Sequence, residues 1–149
     1  MESKQDKRGA ILIELALILP LAVSMTLAAV HFGYIFYLYN GLEKSVRNGA
    51  RYAASRTFTT ATTHQTIVRN VVVCGSSASC GTPLVADLTL GMVNVTAPVV
   101  AADGRPERIK VEITGYVYNG VLSSLLGSTT LTGKPSMEIP FLGLYRPPE

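Results

Sequence analysis

Apolar residues along this chain follow two regimes. From Ala10 to Tyr39, 24 of 30 residues are apolar or aromatic and no polar face recurs at helical spacing. Soluble core helices are rarely this long without one, whereas a bilayer core needs about 20 helical residues. Ala10–Val30 alone would rise about 31 Å at ~1.5 Å per residue, so the pattern predicts a transmembrane helix over residues 10–39. Over residues 40–54 the same helix is expected to continue in amphipathic form. There Leu42, Val46, Ala50 and Ala53 make one stripe, while Lys44, Arg47 and Arg51 make another. Glu43 stands four residues before Arg47, the spacing of a helical ion pair.

Residues 55–149 read as a separate α+β head. Thr57–Thr66 is Thr-rich and reads as a loop entering a short second helix over 63–73. The apolar positions there, Ile67, Val68, Val71 and Val72, fit a strand as well, so helix and strand both stay open. Three stretches carry strand patterning: residues 92–99, 108–118 (with Ile109, Val111 and Ile113 alternating) and 129–139. Asp103-Gly104 is a hairpin signal between the first two, and Val121–Gly127 is an apolar connection. The fold class predicted is α+β, a long N-terminal helix carrying a small antiparallel sheet.

Charge sharpens the division. Between Arg8 and Glu43 lie 34 residues with one charge, Glu14. The other 115 residues hold 22 charges, about the share of a soluble domain. A mean hydropathy of +0.31 excludes a disordered chain. The net charge of +3 is too diffuse for a nucleic-acid footprint, so no nucleic-acid partner is expected. Lys4, Lys7 and Arg8 precede the apolar run and Phe32, Tyr34, Phe36, Tyr37 and Tyr39 close it. Basic flank and aromatic belt together predict a cytoplasmic N-terminus and an exported head. A signal peptide cut near Ala29 is the competing reading, but a cut after Ala28 or Ala29 would put Thr26 or Leu27 in the −3 position, and neither suits such a site.

In an exported head, Cys74 and Cys80 around a Gly/Ser loop predict a local disulfide. Closing so short a loop stabilises by about 2 kcal/mol in the chain-entropy model. His31 falls in the span and His64 completes no ligand set, so no metal and no cofactor are expected. No nucleophile and base, phosphate loop or paired carboxylates stand out, and the chain does not read as an enzyme.

The most specific local feature is Lys7-Arg8-Gly9-Ala10-Ile11-Leu12-Ile13-Glu14: a basic leader, a glycine, and an apolar helix with a glutamate at its fifth position. It resembles the processing site of type IV prepilins. Gly9 lets backbone approach a protease closely and is expected to stop the helix from propagating into the leader. The stretch from Arg8 through Glu14-Leu15-Ala16-Leu17-Ile18-Leu19-Pro20, then Phe32-Gly33-Tyr34 and Arg47-Asn48-Gly49-Ala50-Arg51-Tyr52-Ala53-Ala54, is similar to the TadE-like family, small pseudopilins of tight-adherence pilus systems. Leu15 departs from the large aromatic residue often found there.

The resemblance implies a minor pilin of the bacterial inner membrane, cut between Gly9 and Ala10 by a prepilin peptidase so that residues 1–9 are lost. It implies that Glu14 pairs with the N-terminal amine of a neighbouring subunit. Its partners would be other pilin subunits, the peptidase, the pilus assembly platform and the membrane. Pro20 interrupts the helical hydrogen bonding, which makes it either a flexible point for transfer to a filament or a passive kink. A main filament subunit is the near alternative; a single-pass anchored binding module with an uncut leader is the alternative of another class.

Overall fold

The computed structural model describes residues 4–56, 61–78, 80–96, 107–118, 123 and 127–143. Its dominant element is one helix, α1 (Lys4–Ser55), of 52 residues, about 78 Å long at 1.5 Å per residue. The predicted membrane segment and its amphipathic continuation are thus a single rod that runs through Pro20. The expected break at Gly9 does not occur, and the leader is helical from Lys4. Glycine costs a helix interior only about 1 kcal/mol relative to alanine, too little to end a helix already propagating on both sides.

The head follows as α2 (Ala61–Cys74), a short 3-10 turn (Leu90–Met92) and five strands: β1 (Val93–Thr96), β2 (Arg108–Ile113), β3 (Tyr116–Tyr118), β4 (Thr129–Leu131) and β5 (Ser136–Pro140). The open choice at 63–73 resolves as helix. His64, Val68 and Val72, spaced by four, are buried together, whereas alternation would have put Arg69 on the face of Ile67 and Val71. α2 already begins at Ala61, inside the stretch 57–66 expected as a loop, and residues 57–60 lie outside the described residues.

The sheet also differs from expectation. Instead of three strands in one sheet, the described residues form two antiparallel sheets, β1-β2-β5 and β3-β4. Residues 108–118 split after Ile113 because Gly115 turns the backbone with φ 73°, and residues 129–139 split around Gly133 at φ 65°. Both angles lie where residues with a Cβ are strained. Register is set by the buried face: Val93 opposes Ile113, Val95 opposes Val111, and Val111 opposes Met137. Asp103-Gly104, residues 97–99 of the first strand stretch and most of 121–127 lie outside the described residues.

The core lies between the C-terminal half of α1, α2 and one face of the larger sheet. The stripe Leu42, Val46, Ala50 and Ala53 is buried as its spacing predicts, together with Val68, Val72, Val95, Ile109, Val111 and Tyr116. Lys44, Arg47 and Arg51 stay exposed, and Arg47 pairs with Glu43 across one helical turn, a contribution of about 0.3–0.5 kcal/mol at most for such an exposed pair. At Gly49 the two helices pack tightly: a Cβ there would collide with Val72 Cγ2. The chain returns to the end of α1 through Leu142, whose N–H donates to the Ala54 carbonyl at 2.9 Å. Cys74 and Cys80 form the predicted disulfide, and the Asn70 side chain donates to the Ala78 carbonyl inside that loop at 2.7 Å.

His64 is buried beside this core, 5% exposed. Desolvation holds its pKa below the ordinary 6.5, with a hydrogen bond to the Ala53 backbone pulling the other way. Between the folded and unfolded pKa values only the unfolded chain binds the proton, so falling pH favours unfolding. The head is expected to keep this contribution above pH ~6.5 and to lose it progressively below. Thermal melts of the detergent-solubilised chain from pH 8 to 5 measure this; His64→Leu should flatten the slope in that window, and an equal slope in both proteins removes His64 as its source.

Candidate functional site: an apolar stem with one carboxylate

The head leaves more than a third of α1 uncovered. From Gly9 to Val30 every residue is exposed except Ala28, which is half-buried. Ile11, Leu17 and Met25 are 62%, 74% and 67% exposed. The apolar window of this helix has a mean hydropathy of 2.3 with none of it buried, so none of the described residues shields it from solvent. These 22 residues rise about 33 Å, the thickness of a bilayer's hydrocarbon core. One long apolar helix of this kind points to membrane anchoring.

The stem ends sharply at His31. That ring is buried edge-on against Tyr118, with centroids 5.7 Å apart, and Tyr34 lies 6.0 Å from the same tyrosine. From there Ile35, Leu38, Tyr39 and Leu42 run under Tyr116, Tyr118 and Leu131 of the smaller sheet. Of the predicted 10–39 span, residues 10–30 apart from Ala28 are thus exposed among the described residues, and the aromatic cluster is shared between the outside and the head. His31 Nδ1 and the Tyr118 hydroxyl are buried and find no hydrogen-bond partner among the described residues. Burial first, and then Tyr34, pushes the Tyr118 phenol above its usual pKa. Tyr116 is raised by burial and then by Asp87, and its hydroxyl donates to the Ala86 carbonyl at 2.9 Å.

The residues singled out in the sequence take these places. Gly9, Ala10, Glu14 and Pro20 all lie on the free stem, the first three within its first two turns. A Cβ on Gly9 would meet nothing within 4 Å, so no steric constraint of the folded chain requires glycine there. Ala10 and Glu14 stand one turn apart on one face, and Glu14 is the one charged residue between Gly9 and Leu42. Cys74 and Cys80 lie in the head, away from the stem. Lys44 borders an open groove of about 450 Å³ with Tyr34, Tyr37, Asn40 and the segment Leu84–Ala86. Among the described residues no three His, Cys, Asp or Glu side chains gather as a metal site.

Two features were not foreseen. Gly49 was visible only as part of the string Gly49-Ala50-Arg51-Tyr52-Ala53-Ala54; its small residues are the signal, since a close helix crossing needs them. The contact of His31 with Tyr118 joins residues 87 positions apart, and no local pattern carries it.

No curated protein and no solved structure matches the chain. The family model of TadE-like proteins matches residues 9–51, which cover the whole free stem and most of the stripe that packs against the head. Over residues 9–51 the chain is thus similar to the TadE-like family, which is associated with tight-adherence pili.

Proposed function

We propose that this protein is a minor pilin that takes part in assembling or initiating a tight-adherence pilus. In this reading a prepilin peptidase cuts after Gly9 on the cytoplasmic side, the head is exported, and the subunit leaves the membrane through the pilus assembly platform. The observation that carries the reading is Glu14: one carboxylate on an otherwise uncharged, uncovered stem, five residues past Gly9, inside the TadE-like segment. A charge at mid-bilayer costs about 2.5–3.5 kcal/mol; Glu14, about 9 Å along the helix from Arg8, costs less, and such charges are kept where they are paired or functional. Cutting after Gly9 frees an amine on Ala10, and a neighbour's amine beside Glu14 cancels both charges as stems stack. Helical backbone at Gly9 requires local unwinding before cleavage, and glycine lowers the cost of that step by about 1 kcal/mol relative to alanine. Pro20 removes one backbone hydrogen bond at mid-stem and gives the rod a place to bend when it changes surroundings.

Expression with and without a prepilin peptidase, followed by N-terminal sequencing, tests the processing step. A chain starting at Ala10 only when the peptidase is present is the expected result. An intact Met1 in both cases favours the anchored binding module, and a start near Val30 favours signal-peptidase release.

A further inference from the structure

Past the free stem, α1 keeps one face that the described residues of the head leave open. Gly33, Phe36, Tyr37, Asn40, Lys44 and Arg47 fall on it at helical spacing, and all are exposed. Along it the chemistry changes from aromatic, with Phe36 and Tyr37 66% and 73% exposed, through an amide to two cations. A helix leaving a bilayer shows that order, with aromatic rings at the interface and lysine or arginine beyond them. Lys44 stands seven residues, about 10 Å, past Tyr37. Helical side chains lean toward the N-terminus, so its ammonium reaches back toward a headgroup layer about 5–8 Å deep.

At this level the groove of about 450 Å³ opens between α1 and the segment Leu84–Ala86, within the roughly 300–1,000 Å³ of small-ligand sites. Tyr34, Tyr37, Asn40 and Lys44 line one wall, and Leu84, 58% exposed, stands on the other. Hydrogen bonds fix that second wall. The Leu84 N–H donates to the Val73 carbonyl at 2.7 Å, and the Ala86 carbonyl accepts from the Tyr116 hydroxyl at 2.9 Å. Gly41 lets the walls approach, since a Cβ there would stand 3.2 Å from Val85 Cγ2. Lys44 has neither an ion-pair nor a hydrogen-bond partner among the described residues. Its neighbour Glu43 is taken by Arg47; Asp87 follows the second wall without lining the groove, and its charge acts on Tyr116.

One uncommitted cation above aromatic and apolar surface, with phenol and amide groups between, matches an amphiphile with a negative head. We infer that this groove holds the headgroup of an anionic phospholipid from the leaflet beneath the head. Lys44 meets the phosphate, Asn40 and the tyrosine hydroxyls meet glycerol oxygens, and Leu84 lies against the first acyl carbons. The inference rests on the membrane reading of the stem and is independent of pilus assembly. Lipid is favoured over a second copy of the chain because the groove continues the stem's own apolar surface, Tyr34 lying one helical turn past Val30.

The chain has no tryptophan, so Tyr37→Trp and Leu84→Trp each place a single fluorophore on one wall, and Met25→Trp places one in the stem. Each full-length variant, with Cys74–Cys80 oxidised, is reconstituted in phosphatidylcholine carrying a minor share of brominated phosphatidylglycerol or of brominated phosphatidylcholine. Brominated phosphatidylglycerol should occupy the site beside both groove reporters about fivefold more strongly, the discrimination one lysine supplies at an anionic surface. At Met25→Trp the two lipids should quench alike. Lys44→Gln should abolish the preference at both groove reporters, whereas Lys44→Arg and Arg47→Gln should keep it. Equal quenching by the two lipids at both groove reporters, or the same loss of preference in Arg47→Gln, overturns the site; quenching of Met25→Trp then leaves the stem reading standing. An unquenched Met25→Trp overturns both. Groove reporters that escape quenching as the protein-to-lipid ratio rises give the groove to a second copy. A preference erased by soluble glycerol phosphate at the same concentration as the lipid gives it to a free phosphate ester. Either result overturns the lipid.

Discussion

Gly49→Leu is expected to separate α2 from α1 and to unfold a large fraction of the heads at growth temperature. The crossing leaves no room: even a single Cβ at residue 49 would collide with Val72 Cγ2, with the Val68 carbonyl oxygen 3.8 Å away. Valine in a helix has one strongly preferred rotamer, so Val72 cannot swing aside without strain. Overpacking typically costs about 1–3 kcal/mol; Gly49→Ala should fall in that range and Gly49→Leu at or above its upper end. Domains have about 5–15 kcal/mol in total, and α2 also carries the disulfide, so the loss spreads to the Cys74–Cys80 loop. Chemical denaturation of the solubilised chain measures it. Combining Gly49→Ala with Val72→Ala should recover part of the loss, because the colliding methyl is removed. Full stability in Gly49→Leu would mean the helices do not cross there.

Glu14→Ala is the second large effect, and it should separate insertion from assembly. The substitution removes the stem's single charge, so the helix inserts at least as readily as before. It also removes the proposed partner of a neighbour's Ala10 amine, leaving that amine uncompensated among apolar stems. Membrane fractions should hold normal amounts of the variant, while sheared pili should contain at least tenfold less of it than of the native protein. Glu14→Gln, nearly the same shape without the charge, should fail in the same way. Normal incorporation of either variant would remove the ion pair from the proposal.

How far the sequence foretold this molecule follows from the range of each interaction. The stem was legible from uninterrupted apolar residues, and the stripe Leu42, Val46, Ala50, Ala53 from its helical spacing. The disulfide was legible because its two cysteines are six residues apart. Strand alternation located β2, but the breaks at Gly115 and Gly133 depend on single backbone angles that a tally of β-formers passes over. Gly9 was misjudged for the opposite reason: its local preference was given more weight than the cooperativity of the helix around it. The division into two sheets and the meeting of His31 with Tyr118 come from distant parts of the chain and left no periodic trace. At the candidate site, the residues of the stem could be named in advance, while the point at which the stem becomes free could not.

That point has a thermodynamic consequence. Twelve large apolar side chains from Ile11 to Val30 stand open on the stem, and at about 1.5–3 kcal/mol each their exposure to water would cost on the order of 20 kcal/mol. That exceeds the whole folding stability of an ordinary domain. A lone copy of this protein therefore has no tolerable existence in aqueous solution, however well its head is folded. Any passage of the subunit from lipid to filament must be a direct exchange of one greasy neighbour for another, with no free intermediate between them.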